Sequence, residues 1–377
     1  MVLLALLLAL WSGLNWFDFD IVLLWQFSVL SREFGHWLFF VALLVAVYVW
    51  RRRFYYPRAK RRAVFILTAI AACSFIRPVY LASRYDAEYT AEVAKLGYAV
   101  EGHSLFSIPA LWEMAWLKET SCRRIEYTGP DGHALHADFY PVVRKDVTKP
   151  PLVVVVHGGG WEGGNTQQLP ALNWELAHAG FAVASLSYRF SPATVWPGQM
   201  EDIVAGINVL RGRADELGFD PDRLLILGRS AGAQIAGVVA YTRTELPIKG
   251  YVDFYGPTDL DFGFEVTVEG DIIDSRNILR RLLSGDPDSS VEMYRTSSVI
   301  ASAAIRPVPS LLLYGEGDRL VWHKHGERLR RRLIQSGTPV ALIDLKWGTH
   351  GFDFNPNGPG GQISRNAVIT FVRGVLK

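Results

Sequence analysis

The sequence predicts an α/β domain, a mostly parallel sheet with helices on both faces, preceded by an all-α hydrophobic region. Three observations carry that expectation. From residue 123 onward short β-branched or apolar runs alternate with longer amphipathic ones, the signature of strand–helix–strand units. Within that stretch the apolar run Leu224–Leu227 meets a small-residue segment starting at Ala231 through Gly228-Arg-Ser230-Ala-Gly232. Residues 1–83, by contrast, are apolar runs arranged around a dense basic cluster.

Val2 to Phe17 is apolar except for Ser12, Gly13 and Asn15. A secretory signal starts with positive charge and ends at a small-residue cleavage site. This stretch has no early Lys or Arg and runs into Trp16, Phe17, Asp18 and Asp20, so an uncleaved first membrane span is expected, with an interfacial helix as the alternative. Ile21–Leu30 is too brief to cross alone. Phe34–Trp50 is the second run, with aromatic residues near its ends. Residues 51–62 then hold seven positive charges and no negative one, and Ala63–Ser83 is a third apolar run. A bilayer needs ~20 apolar residues per helix. Two such runs beside a basic loop predict membrane insertion, with that loop in the cytoplasm and the chain after Ser83 on the other side.

Residues 84–120 read as a helical connector or as a cap over the active site, with an aromatic patch at Leu111-Trp-Glu-Met-Ala-Trp-Leu117. Arg124–Thr128 and Ala134–Tyr140 flank a turn at Gly129-Pro-Asp-Gly132 and predict a hairpin. Leu152–Val156 is a continuous β-branched run, the mark of a strand covered on both faces. Helices are expected at Leu169–Ala179, Gln199–Leu217, Ala231–Tyr241 and Lys324–Gln335. They alternate with strands at Ala182–Ser187, Leu224–Leu227, Gly250–Phe254, Ser310–Tyr314 and Val340–Leu345.

Charge narrows the classes of partner. The net charge is +2, but residues 1–62 hold eight Lys/Arg against three Asp/Glu, and the remainder 31 against 34. The basic excess belongs to the N-terminus, so no nucleic-acid partner is expected for the main body. Cys73 and Cys122 form neither a disulfide framework nor a zinc pattern, and no metal or cofactor is called for.

Ligands of parallel sheets bind at the carboxyl ends of the strands, so the residues just after each strand are the candidates. Ser230 sits at the tip of a tight strand-to-helix turn whose flanks tolerate only glycine. Such a turn lifts its Oγ off the sheet edge beside a helix N-terminus. After Leu152–Val156 comes His157-Gly158-Gly159-Gly160-Trp161, bare backbone whose N–H groups can meet a developing oxyanion; no Gly-Lys-Ser/Thr follows, so a nucleotide loop is excluded. Gly315-Glu316-Gly317-Asp318 and Gly348-Thr349-His350-Gly351 follow two further strands. Ser230, Asp318 and His350 therefore supply nucleophile, orienting acid and general base. Glu316 competes with Asp318; His323 and His325 compete with His350 but are expected to be exposed. His157 is expected to be structural.

These motifs, with Leu186-Ser-Tyr-Arg-Phe-Ser-Pro192, Tyr255-Gly-Pro-Thr-Asp-Leu260 and His350-Gly-Phe-Asp353, resemble the α/β-hydrolase superfamily. The closest likeness is to its hormone-sensitive-lipase-like and feruloyl-esterase-like carboxylesterases, over about residues 123–377. The resemblance implies the α/β-hydrolase fold, the triad Ser230, Asp318 and His350, and oxyanion donors on the backbone of Gly159, Gly160 and Ala231. It also implies supporting roles for His157, Gly158, Trp161, Tyr188 and Asp202, the last through a hydrogen bond. The N-terminal region departs from soluble members and is similar to membrane-attached relatives such as prenylcysteine methylesterases.

The expected organisation is membrane-spanning helices over 1–83, a connector or cap over 84–120, and a catalytic domain over 121–377. The expected function is a membrane-anchored serine carboxylesterase or lipase acting on a small or lipid-like ester, with the lipid bilayer as partner and the catalytic domain outside the cytoplasm. An acyltransferase using the same triad, or a catalytically dead binding or sensor protein, remain the alternatives.

Overall fold

The structure, a computed structural model, describes residues 1–98, 104–113, 119–144 and 149–377. Eight strands form one sheet: β1 (Arg123–Thr128), β2 (Ala134–Tyr140), β3 (Pro151–Val156), β4 (Ala182–Leu186), β5 (Asp220–Arg229), β6 (Ile248–Phe254), β7 (Ser310–Gly315) and β8 (Val340–Leu345). Their order is β1-β2-β4-β3-β5-β6-β7-β8. The β1–β2 hairpin and the β2–β4 pairing are antiparallel, and every other pairing is parallel. All six residues of β3 are buried, as a strand between two parallel neighbours and two helical layers requires.

The helices are α1 (Val2–Ser12), α2 (Val22–Glu33), α3 (Gly35–Arg51), α4 (Arg58–Ala94), α5 (Ala171–Ala179), α6 (Gly198–Gly212), α7 (Ala214–Leu217), α8 (Ala231–Thr242), α9 (Leu260–Val266), α10 (Ser275–Leu283), α11 (Val291–Ser297), α12 (Val299–Ser302), α13 (Lys324–Gln335) and α14 (Pro359–Val375). The helix expected over 199–217 is two, because the chain leaves helical geometry at Arg213, just after Gly212. The four short helices between β6 and β7, and α14, were not anticipated from sequence. Of these α10 has a readable apolar stripe in Ile278, Leu279, Leu282 and Leu283, all buried.

The N-terminal helices divide into two groups. α1, α3 and α4 pack around Ala5, Leu8, Ala42, Val45, Ala71 and Phe75, while their outward faces expose Leu3, Leu7, Leu10, Leu44, Val47 and Ile66. α4 is the one helix, among the described residues, long and apolar enough to cross a membrane by itself. α2 and α3 together pass the same test but are bent by 83° at their junction. The expected first span is shorter than a bilayer: α1 and the 3-10 turn behind it end at Asn15, ~21 Å of helix against ~30 Å of hydrocarbon. α4 continues without a break across the expected 83/84 boundary and rests on β8, where the Tyr89 hydroxyl donates to Asp344 O at 3.1 Å, while Arg330 of α13 pairs with Glu92 at 2.9 Å.

α2 is different from the other three. Its C-terminal Arg32 and Glu33 are buried against the sheet domain. Arg32 donates to Trp347 O at 3.0 Å and to Leu14 O, and pairs with Asp18 at 2.6 Å. The Glu33 carboxylate accepts from Gly360 N at 2.9 Å, and its backbone carbonyl accepts from Asn355 Nδ2. A Cβ at Gly317 would collide with the Arg32 guanidinium, and one at Gly358 or Gly360 with the Glu33 carboxylate. The glycines of the sheet domain thus leave space for the Arg32 and Glu33 side chains supplied by α2.

Candidate active site

Ser230 has φ 53° and ψ −124°, a left-handed backbone that a serine adopts only when its surroundings impose it. The imposition comes from both flanks. A Cβ on Gly228 would meet the Gly232 carbonyl, and a Cβ on Gly232 would meet the carbonyls of Val156 and His157. β5 and α8 are therefore pressed together and onto the end of β3, and only glycine fits on either side. Ser230 N donates to Phe254 O at 2.9 Å, fixing the turn to β6.

His350 Nδ1 donates to Asp318 Oδ2 at 2.7 Å. The other carboxylate oxygen, Oδ1, accepts from Leu320 N at 2.8 Å and Val321 N at 2.9 Å, and Asp318 is buried. That arrangement fixes the imidazole tautomer, leaving Nε2 as the acceptor. Ser230, His350 and Gly158–Gly160 line one cavity of about 710 Å³, and Ser230, Gly160, Ala231 and Asp318 line a second of about 370 Å³. Glu316 points away and binds Lys346.

The glycine loop passes directly over Ser230: a Cβ on Gly158 would touch Arg229 O and the Ser230 side chain. Gly159 and Gly160 have φ of 126° and 60°. Gly158 N donates to Gln168 Oε1 at 2.7 Å, so that amide is occupied. Among the described residues no hydrogen bond is made by the amides of Gly159, Gly160 or Ala231. His157 is buried, donates from Nδ1 to Gly158 O at 2.8 Å and stacks on Tyr188 with ring centroids 4.4 Å apart. Burial pushes its imidazole down to about 4, so it is neutral near pH 7.

The supporting residues form a relay behind this loop. Tyr188 Oη donates to His157 O at 3.1 Å. Next to it Arg189 is clamped by the buried Asp202, which accepts from its backbone N at 2.9 Å and its guanidinium at 2.8 Å. Trp161 Nε1 donates to Gln234 Oε1 at 2.9 Å, tying the loop to α8. Asp202 does not line either cavity.

Two expectations about histidines need correction. His325 is buried rather than exposed, 2% accessible, packed edge-on to Phe262 and pushed down to about 4 by desolvation. His323 is half-buried, because α13 brings its Nδ1 to 2.6 Å from Asp344 Oδ2, and that partner raises its pKa. Neither hydrogen-bonds to Asp318, although His325 lines the smaller cavity with it.

Sequence reasoning missed a second charged group under the site. Arg229, the variable residue of the Gly-x-Ser-x-Gly turn, is buried and pairs through Nε with Asp353 Oδ2 at 2.7 Å. The Tyr255 hydroxyl donates to Asp353 Oδ1 at 2.6 Å, and the Tyr255 ring lies 4.4 Å from that of His350. The available signal was an arginine inside the turn and an aspartate three residues after His350. Also missed was the wall contributed by α2, where Trp25 Nε1 donates to His350 O at 3.2 Å. The described part of 84–120 lines neither cavity; Leu105, Phe106 and Leu111 are buried, with Ser107 N donating to Gln362 of α14 and Asn366 of α14 donating to Leu105 O. Trp112 packs on Trp37 at 4.7 Å, and Trp116 and Leu117 lie outside the described residues.

Sheet order, nucleophile-type turn and acid–histidine pair define this chain as an α/β-hydrolase. Residues 138–333 match the BD-FAE family, more than half of the chain, and the protein belongs to that family. The probable carboxylic ester hydrolase LipM of Mycobacterium tuberculosis is 26% identical over 240 residues, covering 60% of this chain and 55% of LipM. Isoprenylcysteine alpha-carbonyl methylesterase ICME of Arabidopsis thaliana is 33% identical over 229 residues, 56% of this chain and 53% of that protein. The chain thus spans little more than half the length of these relatives. Among solved structures, carboxyl esterase 2 of the fungus Tuber melanosporum has a TM-score of 0.58 at 25% identity, covering 69% of this chain and 88% of that one. A bacterial heroin esterase has a TM-score of 0.60 at 24% identity over 71% of this chain and 88% of its own, a likeness of fold.

Proposed function

We propose that this protein is a serine carboxylesterase that works through an acyl-serine intermediate. The observation that carries the reading is the 2.7 Å His350–Asp318 hydrogen bond at a cavity that also holds Ser230 in its left-handed turn. Ser230 Oγ attacks the ester carbonyl carbon while His350 Nε2 takes its proton. The carbonyl oxygen becomes an oxyanion facing the amides of Gly159, Gly160 and Ala231, with each such donor contributing ~3 kcal/mol. Collapse breaks the bond to the alcohol, which leaves with the proton from His350. Water, deprotonated by the same imidazole, then attacks the acyl-serine and releases the acid. Asp318 keeps the proton on Nδ1 and stabilises the imidazolium. The named relatives that are ester hydrolases support this assignment. An acyl acceptor other than water would make the same intermediate serve transfer.

Membrane attachment belongs to the same reading, supported by α4 and by the apolar outer faces of α1, α3 and α4. The organisation we propose is a helical membrane region up to about residue 83, a connector to residue 120 and a catalytic domain from 121. The 51–62 cluster lies on the cytoplasmic side and the catalytic domain on the other. A fluorophosphonate probe tests the core of this reading: it labels the intact protein and does not label Ser230→Ala. Labelling that persists in Ser230→Ala, or none in either, sinks it.

A further inference from the structure

We propose that α2, the helix between the first hydrophobic segment and the bent junction with α3, builds the subsite for the hydrocarbon chain of the ester. The proposal rests on the esterase reading above and names a substrate feature and the residues that select it.

The cavity of about 710 Å³ beside Ser230 and His350 carries its polar groups on the glycine loop, Gln168, Arg229 and Tyr255, with Gln26 of α2 as a further polar residue. Its apolar lining includes Trp25, Val29 and Leu30 of α2 together with Ile273, Ile278 and Phe354 of the sheet domain. The second cavity at Ser230 is smaller, about 370 Å³, and sets Asp20, Asp271 and Arg319 among apolar residues such as Leu260, Val266 and Trp322, so a buried hydrocarbon there would lie beside charged groups. An ester lying across Ser230 places its apolar chain against α2.

α2 is held there rather than resting loosely. Arg32 and Glu33 anchor its C-terminal end in buried hydrogen bonds to the Trp347 carbonyl and the Gly360 amide, and Trp25 is tied to the His350 carbonyl. Val29, 7% accessible, is packed between those anchors. A wall fixed at both ends gives the chamber a fixed depth, so chain-length selection follows. Each methylene that fits raises kcat/KM roughly four-fold until the chamber is full.

The test uses full-length protein in detergent with two ester series, nitrophenyl acetate to nitrophenyl decanoate and ethyl acetate to decyl acetate. The first lengthens the acyl side and the second the alcohol side. Leu30→Trp fills the chamber, and the long-to-short ratio of kcat/KM falls at least ten-fold in one series. Leu30→Ala widens the chamber and moves the optimum to longer chains; it decides the matter if Leu30→Trp does not fold. Ile66→Trp, on the exposed face of α4 away from the cavity, leaves the ratio as in the wild type. Equal effects on all chain lengths in both series, with fluorophosphonate labelling intact, overturn the α2 subsite and leave the esterase reading standing. Loss of labelling in the wild type overturns the esterase reading itself.

Discussion

The Trp25 indole N–H donates to the backbone carbonyl of His350 at 3.2 Å, joining a helix near the N-terminus to the loop that carries the imidazole. The two residues are 325 positions apart in sequence, and their rings are 6.4 Å apart at the centroids. The loop holding His350 is therefore supported from two sides, by Asp318 at the ring and by Trp25 at the backbone. The hydrophobic N-terminal region and the hydrolase domain share one site, and a truncation at residue 121 removes a wall of it.

Ser230→Ala is expected to lower kcat by about 10³-fold or more, since only binding and the oxyanion donors remain. Esterase turnover and covalent probe labelling measure it together. Retention of a tenth of the wild-type rate would show that another residue is the nucleophile.

His350→Ala is expected to cost about as much as Ser230→Ala, and the double variant little more, because the three groups act as one unit. His323→Ala changes labelling little, its imidazole being bound to Asp344 instead. His325→Ala lowers thermal stability by ~1–3 kcal/mol through lost packing against Phe262, while labelling persists. An inactive but folded His323 variant beside an active His350 variant reverses the assignment.

Arg229 and Asp353 make a separable prediction. Arg229→Met leaves the Asp353 carboxylate buried and without its cation, which costs ~3–5 kcal/mol. Arg229→Met combined with Asp353→Asn removes both charges and recovers most of that loss. Thermal unfolding of the two single variants and the double variant measures the coupling; strictly additive losses refute a specific pair.

The parallel sheet was legible because β3 to β8 are short runs whose flanking glycines sit at strand ends, where ligand sites form. Ser230, Asp318 and His350 were legible for the same reason: each lies within five residues of the end of a strand. What sequence did not reveal depends on contacts across long separations. Nothing local to Trp25, Arg32 or Glu33 says that they meet Trp347, His350 and Gly360. The apolar run of α2 read as more membrane-like chain, although the Arg32-Glu33 pair at its end already required a polar, protein-lined setting. The short helices between β6 and β7 are two to three turns at most, too brief for periodicity to declare them.

Asp253 gives a pH prediction. Burial pushes its carboxyl up to about 7 despite hydrogen bonds from Tyr314 Oη at 2.8 Å and Gly256 N at 2.7 Å. An unfolded aspartate releases its proton near ~3.9. Between those values the folded state holds a proton that the unfolded state has lost. The contribution is therefore complete below about pH 4 and declines as pH rises to about 7, by an amount on the order of a few kcal/mol. Asp253→Asn, which has no proton to release, should show a flatter stability profile across that window. Parallel profiles for the two proteins, measured by thermal unfolding in detergent, would contradict the burial-driven shift.

Topology is the last prediction. Residues 51–62 cap one end of α3 and α4, while the other end of α4 lies on β8 of the hydrolase domain. If α4 crosses the bilayer, those two ends lie in different compartments, and the positive-inside bias puts the basic end in the cytoplasm. The test requires a background with Cys73 and Cys122 replaced, since Cys73 is exposed and Cys122 partly so. In that background a cysteine replacing Asp131, whose side chain is 70% accessible, should react with an impermeant reagent in intact cells. One replacing Pro57, at the start of α4, should react only after permeabilisation. Both protected would place the basic loop and the hydrolase domain together in the cytoplasm, with α3 and α4 entering the membrane without crossing it. Pro57 labelled and Asp131 protected would invert the orientation. Either outcome sends the search for the substrate to the cytoplasmic leaflet, whereas the expected one sends it to the outer face.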